Sequence, residues 1–412
     1  MDKIGGTIVT IDIGTNKVVL IVTKVNKFNK LEVVHVETKK CDAVVKGEIK
    51  EPYKIAEILK NSITQIESRY GIRIKSSYAN INNRYIDIDE TIQSIEVDQT
   101  FGFVQQYDVD KLLNKMKDTQ VASDKKVIDI VPLEYYDENK NIITNLENAK
   151  TSKLSLKAQI VIAQREYVEK IQSIFQYAGL KLDGLILQCI SDANLVLTPE
   201  QKQRGVLLID VGANLTDISI YTNDRIIYID NIELGGQTLT SDLSIVLETS
   251  LEEAEKVKRQ YSLAMSKYVE NDYPISILDK DNKVKKVNCS EVVEIMEARC
   301  EQILELINSK LEEIEAKQYV REVVLIGSGF NTVSKIDILA NQIFNLPVSL
   351  VNFKQTNQLK PINTTAYAMQ EYVLSGDSRV NNKLSTVKEV DEKEKSGFIS
   401  KIVEKIQDFL YT

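Results

Sequence analysis

Two stretches, one beginning at Thr7 and the other at Gly205, are written to the same plan, and this repetition restricts the fold more than any other feature of the chain. Residues 7–22 read TIVTIDIGTNKVVLIV and residues 205–220 read GVLLIDVGANLTDISI. Each is an apolar, β-rich run, then Asp-x-Gly, then small polar residues, then a second apolar run. That is the pattern of a hairpin with an acid and a glycine at its tip. Either alone reads as an ordinary hairpin with an Asp-Gly turn. The pair points to a duplicated domain with a ligand held between two facing loops.

The residue types at the tips suit a phosphate. A glycine after the acid allows φ > 0 and a close approach of ligand to main chain. Successive turn N–H groups then form a nest for anionic oxygens. Thr15, Asn16 and Lys17 add a hydroxyl, an amide and a cation. An aspartate beside a phosphate needs a cation between them, and Mg²⁺ is commonly held by one or two carboxylates together with phosphates and water.

With 412 residues the chain can build two or more cores. Its net charge of −8 and pI near 5.2 speak against nucleic acid as a partner. No charged-then-apolar leader opens the sequence and no apolar run is long enough to span a bilayer. Cys41, Cys189, Cys289 and Cys300 lack metal-ligand spacing and read as reduced thiols. His35 is the single histidine, so a Ser-His-Asp triad or a histidine-based metal site is discounted.

Strand signals fill residues 7–24 and 31–37. Residues 52–70 read as a helix, with Ile55, Ile58, Leu59, Ile63 and Ile66 on one face, Pro52 in its first turn and Gly71 as its stop. A strand follows at 76–81. Residues 82–156 change character and read as an inserted α/β subdomain with a helix at 109–119 and a strand at 126–133. A strand at 156–163, a helix at 164–178, a strand at 180–187 and a short helix at 191–197 close the first half. The second half continues from its hairpin through a strand at 225–234, a Gly235-Gly236 turn, helices at 239–247 and from Thr249 or Ser250 to about 260, a hairpin at 273–287, a long helix at 290–316 and a strand at 323–326 entering a glycine turn. Residues 377–396 are polar and charged and read as a flexible linker.

These motifs resemble, in order and spacing, the actin-like ATPases and within them the bacterial cell-division FtsA family. The matching stretches are Asp12 to Lys17, Gly205 to Gly212, Leu234 to Gly236, Thr240 to Asp242, Leu251 to Lys258, Glu297 to Arg299 and Val324 to Gly329, covering roughly residues 5–375. The position of the insert, and the segment Val131, Pro132, Leu133, Glu134, Tyr135 within it, resemble that family's extra subdomain, called 1C. The resemblance implies an α/β class: a duplicated, actin-like (RNase H-like) two-lobed fold with a 1C-type insert, followed by a linker and an amphipathic helix. Its divisions would be subdomain 1A at 1–81 and 157–200, 1C at 82–156, 2A at 201–246 and 319–375, 2B at 247–318, the linker at 376–396 and the helix at 397–412.

The resemblance also implies ATP or ADP with Mg²⁺ as cofactors. Asp12 and Asp210 would be the catalytic pair, holding the Mg²⁺ and its water, with Asp210 also orienting the attacking water. Gly14, Thr15, Asn16, Lys17, Gly212 and Asn214 would cradle phosphates. Glu255 and Lys258 would face the ribose or base, unless they form an ordinary surface ion pair, and Gly327, Ser328, Gly329 and Phe330 the adenosine side. The second loop departs from the family's pattern, because Ala213, Asn214 and Leu215 stand where small residues and threonines are usual, which argues against rapid hydrolysis. Gln188 and Cys189 likewise stand where relatives often carry an acid and a proline.

The last sixteen residues form an amphipathic pattern. Phe398, Ile399, Ile402, Val403, Ile406, Phe409 and Leu410 share one side, with Ser400, Lys401, Glu404, Lys405, Gln407 and Asp408 opposite. Such a helix either docks on its own protein or lies in a membrane interface, and its place after a charged linker favours the membrane. The expected function is that of a nucleotide-binding tether that self-assembles and brings FtsZ to the cytoplasmic face of the cell membrane at the division site. The FtsZ C-terminal peptide would meet Arg299, with Lys310 as a second contact, unless these are solvated helix charges. The alternatives are a PilM-like peptide-binding adaptor and a working ATPase or phosphotransferase on the same fold.

Overall fold

The computed structural model describes residues 6–146, 149–351 and 364–375. The first hairpin forms as expected: β1 (Thr7–Ile13) and β2 (Lys17–Val25) are antiparallel neighbours, and β3 (Leu31–Lys40) extends the meander. A small hairpin of β4 (Val44–Val45) and β5 (Glu48–Ile49) precedes α1 (Pro52–Tyr70). That helix opens on its proline and stops where Gly71 takes φ 64, a left-handed cap that glycine adopts without strain. The next strand, β6 (Ser76–Ile81), lies parallel to β1. The chain then leaves this sheet to build a separate one from β7 (Ile86–Glu96), α2 (Gln106–Lys117), β8 (Lys125–Tyr136), β9 (Ile142–Ile143) and β10 (Lys153–Gln164), in the order β7-β10-β8-β9. Leu112, Met116, Leu154, Leu156 and Ile160 give this insert a core of its own. It returns through α3 (Arg165–Ala178), which packs on α1, to β11 (Lys181–Leu187), completing the order β11-β6-β1-β2-β3. Two short helices, α4 (Gln188–Val196) and α5 (Pro199–Arg204), lead into the second half.

The second half repeats the plan. Its meander is β12 (Val206–Val211), β13 (Thr216–Thr222) and β14 (Arg225–Ile232). There follow α6 (Gly236–Val246), α7 (Leu251–Tyr261), the hairpin of β15 (Pro274–Leu278) and β16 (Val284–Asn288), and the long α8 (Cys289–Glu313). Next come β17 (Glu322–Ile326), α9 (Ile336–Phe344), β18 (Val348–Leu350) and α10 (Thr364–Ser375). The sheet order β14-β13-β12-β17-β18 mirrors the first: a meander on one side of the central strand and two parallel strands on the other.

Strand periodicity places the cores. Val206 and Leu208 of β12 face the core shared with the first lobe, while Leu207, Ile209 and Val211 face the one built with α6, α8 and α9. The last described helix re-enters the first lobe. Thr10 Oγ1 donates to the Ala366 carbonyl at 2.6 Å, Gln370 Nε2 to those of Ile21 at 2.8 Å and Ile8 at 3.4 Å, and Tyr372 OH to Asp129 Oδ2 at 3.0 Å.

Element types agree with the sequence reading, and most boundaries move by a few residues. The elements beyond the second glycine turn, α9, β18 and α10, were not anticipated. Nor was α5, although Thr198 with Gln201 closes a capping box around Pro199. All four cysteines are buried and free of disulfides. His35 sits on β3, half-buried, with Nδ1 3.1 Å from the Tyr70 hydroxyl. Among the described residues no helix is long and apolar enough to cross a membrane. The linker and the tail residues from Phe398 to Leu410 lie outside the described residues.

Candidate functional site

Alternation along two strands brings the two acids together. On β1, Asp12 shares a face with Ile8 and Thr10, and Thr10 is the residue that bonds α10. On β12, Asp210 shares the face of Val206 and Leu208, which looks into the same core. Both acids therefore emerge at the seam between the lobes. The two tips have the same turn: Gly14 N donates to Lys17 O at 3.0 Å, and Gly212 N to Leu215 O at 2.9 Å.

A cavity of about 100 Å³ opens between them. Asp12, Thr15, Asn16 and Lys17 line it from the first lobe, and Asp210, Gly212, Gly327 and Ser328 from the second. The parallel strands β1, β6, β12 and β17 all end here, at the carboxyl edge where open α/β sheets hold ligands. That topology adds residues the sequence reading missed: Asn80 near the end of β6 and Asn82 just after it, Gln188 at the start of α4, Asp217 on β13, and Thr364 and Thr365 at the start of α10. Asn80 Oδ1 accepts from Ile13 N at 2.7 Å and so anchors the first tip. Gln188 Nε2 donates to Asp210 Oδ2, and the Ala213 and Leu215 side of the second tip completes the wall.

The site is rich in desolvated charge. Burial raises the Asp12 carboxyl above its ordinary range against the pull of Lys17, and lowers the Lys17 ammonium against the pull of Asp12 and Asp210. Desolvation pushes Asp210 up to about 6, opposed by the Gln188 hydrogen bond. Asp217 is pushed up to about 8, first by burial and then by the Asp210 charge. Asp192, behind the cavity on α4, is raised by burial and by the same neighbours. Asp217 Oδ1 and Asp192 Oδ1 have no hydrogen-bond partner. This donor set fits a phosphate chain with a hard cation. Lys17, Thr15 and Asn16 offer a charge, a hydroxyl and an amide, and the carboxylates offer anionic oxygen. Among the described residues no three His, Cys, Asp or Glu side chains form a cage, so a cation there would draw its remaining ligands from phosphate and water.

The structure corrects the backbone expectation at the tips and places several expected site residues away from the cavity. Neither Gly14 nor Gly212 has φ > 0. They are glycines for space: a Cβ would lie 3.3 Å from Lys17 O in the first turn and 3.0 Å from Leu215 O in the second. The strained glycine is Gly327, at φ +96, where a Cβ would fall 2.2 Å from Asp210 Oδ1 and 2.4 Å from Val211 O. Gly14, Asn214, Gly329 and Phe330 do not line the cavity. Gly329 N donates to Val211 O at 2.7 Å, and Phe330 is sealed in the second core. Glu255 and Lys258 also stand off the cavity. Lys258 Nζ meets Glu255 Oε2 at 2.7 Å, Thr240 Oγ1 at 2.7 Å and Gly236 O at 2.9 Å, bracing α7 on the start of α6. That brace acts one step removed, since Gly236 N and Gln237 N donate to Gly212 O and Ala213 O at 2.9 and 2.7 Å. Arg299 on α8 forks onto Asp242 at 2.5 and 3.0 Å, and Lys310 pairs with Asp230, so both are engaged within the protein.

Comparison with known proteins agrees with this geometry. The family model described as cell division protein FtsA matches residues 207–369. Cell division protein FtsA of Buchnera aphidicola subsp. Baizongia pistaciae is 24% identical over 359 residues, covering 85% of each chain. That of Pseudomonas aeruginosa is 24% identical, covering 84% of this chain and 83% of its own. Among solved structures, a PilM-PilN type IV pilus biogenesis complex superposes with a TM-score of 0.58 at 15% identity, covering 89% of this chain and 97% of that one. MreB5 of Spiroplasma citri bound to ADP superposes with 0.55 at 14% identity, covering 92% and 99%. Fold and sequence together lead to one conclusion: the chain has an actin-like, two-lobed fold and is similar in sequence to the cell-division protein FtsA.

Proposed function

We propose that this protein is a nucleotide-binding cell-division tether that assembles with its own copies, brings FtsZ polymers to the cytoplasmic face of the membrane, and holds on through residues 397–412. The observation that carries the nucleotide part is the pair of matching tips, with Asp12 and Lys17 facing Asp210 across a seam glycine-lined at Gly212 and Gly327. Lys17 and the tip amides would take the phosphates, and Asp12 and Asp210 the Mg²⁺ with its water. When bound, Mg²⁺ would neutralise phosphate charge. The protein's own contribution is positional: Gln188 fixes Asp210, and Asn80 fixes the first tip. The cavity is smaller than the ~300–1,000 Å³ of ligand pockets in general. It suits the phosphate end, with the nucleoside running outward past Ser328. The Ala213 to Leu215 wall places no hydroxyl at the second tip, which supports slow turnover.

The apolar face from Phe398 to Leu410 supports reversible membrane contact, strengthened where several copies act together. Arg299 supports recognition of an acidic FtsZ peptide, whose carboxylate would take the place of Asp242 on the same guanidinium fork. The test is liposome co-sedimentation of the full chain against a chain ending at Ser396, with and without Mg-ATP. Pelleting that needs the tail supports the tether. Equal behaviour of the two sinks it and favours a peptide-binding adaptor with no lipid contact.

A further inference from the structure

The two tips differ in what their fourth residue does. Lys17 points charge at the cavity, whereas Leu215 reaches across the seam. Leu215 is only 7% exposed and forms part of the cavity wall. Its methyl lies against the tip of the β4–β5 hairpin in the other lobe: a Cβ on Gly47 would stand 2.6 Å from Leu215 Cδ1 and 2.9 Å from Asn82 Nδ2. Gly47 has φ +77, so both its conformation and its space require glycine. Its carbonyl accepts from Tyr167 OH at 3.0 Å and Asn82 Nδ2 at 3.4 Å, which fixes the surface that Leu215 meets.

Polar contacts surround this point. Asn83 Nδ2 donates across the seam to the carbonyls of Ile218 and Asp230 at 3.1 and 3.3 Å. Arg84 and Lys46 reach Glu233 at 2.7 and 2.9 Å. The Glu233 pairs are partly solvated and weak as a class. The apolar contact at the centre draws its strength from excluding water, as does the shared core of Val206, Leu208, Val324 and Ile326 behind it.

We infer that Leu215, seated on Gly47, is the centre of a latch that holds the two lobes together without nucleotide, so that the second tip joins lobes where the first binds phosphate. A ligand can favour a closed arrangement only by its differential affinity for it, and shifts little when that arrangement already dominates. Nucleotide occupancy and lobe closure are thereby uncoupled in this chain. The consequence for nucleotide control rests on the reading proposed above; the latch itself does not.

The test is an interlobe distance measured on the full chain. Because the native cysteines are buried, fluorophores can be placed on introduced cysteines at the exposed positions Lys60 and Lys283. The unsubstituted chain should give one distance with or without Mg-ATP. Leu215→Ala should give a longer distance without nucleotide, and Leu215→Met, which keeps the volume, should match the parent. Circular dichroism checks the fold of Leu215→Ala, and Gly47→Ala, which presses on the same methyl, replaces it if it fails to fold. A parent chain that opens on nucleotide removal, or a Leu215→Ala chain as closed as the parent without nucleotide, overturns the inference. Calorimetric titration with ATP is read separately: no binding by the parent defeats the nucleotide reading and leaves the nucleotide-free comparison to decide the latch.

Discussion

The two hairpin tips share a hydrogen-bonded turn and an acid two residues before its glycine, yet their surroundings are built from different materials. The first tip is held by one side chain, Asn80 Oδ1 on Ile13 N, and one backbone bond, Cys41 N on Asn16 O, and presents Lys17. The second is held by backbone, with Gly329 N on Val211 O and the start of α6 on Gly212 O and Ala213 O, and presents Leu215. Duplication preserved the geometry of the turn while its chemistry diverged. The side-chain anchor takes up one main-chain amide of the first tip, that of Ile13. A backbone anchor uses up the carbonyls and demands glycine nearby.

That contrast can be broken most forcefully at the glycines. Gly327→Ala adds a Cβ against Asp210 and Val211 at a positive φ, so chemical denaturation should show a loss on the order of 4 kcal/mol. Gly14→Ala, with negative φ and a single 3.3 Å contact, should lose about 1 kcal/mol or less. Equal losses would mean that the two anchors are equivalent.

Lys17 carries the second-largest effect. Lys17→Met should weaken ATP binding by about 100-fold in calorimetric titration, the scale of a lost charge-assisted contact in a desolvated site. A change under threefold would remove the first tip from the nucleotide site.

A smaller effect follows from Asp217 on the second hairpin. Its folded-state value near 8 lies above that of an unfolded aspartate, so the native state binds the extra proton. Stability should therefore be full below about pH 4 and decline as pH rises towards 8. Asp217→Asn should flatten that slope in melting curves taken at pH 5 and pH 8. An unchanged slope would assign it to other groups.

The smallest effect concerns Arg299, half-solvated in its fork with Asp242. Arg299→Ala should cost about 1 kcal/mol or less in stability, while Asp242→Asn should tighten binding of an acidic FtsZ peptide in fluorescence anisotropy. No change with Asp242→Asn would detach Arg299 from partner binding.

What could be read beforehand follows from periodicity. The twin hairpins, the Pro52-to-Gly71 helix and the long α8 each carry an apolar repeat with punctuation at its ends, and local rules suffice for them. Asn82, Gln188 and Thr365 reach the cavity because parallel strands end there and the chain returns, and no short window of sequence contains that fact. Glu255 and Lys258 form an i, i+3 pair whose spacing cannot tell which neighbour the helix face meets; here it is α6. The α10 segment escaped because Ala366, Met369, Tyr372 and Val373 are buried together, leaving no polar stripe to reveal a helical period.

That last helix carries a consequence for how the molecule is made. The Thr10 hydroxyl and the carbonyls of Ile8 and Ile21 bond residues 366 and 370, more than 340 positions further along the chain. As the chain leaves the ribosome, the first lobe must wait with its sheet half-covered until nearly the whole sequence has emerged. The second lobe's core closes somewhat earlier, once Phe344 of α9 is in place. Domains usually mature from the N-terminus during synthesis; here the later-made half is free to finish first and serves as the surface on which the earlier half is completed.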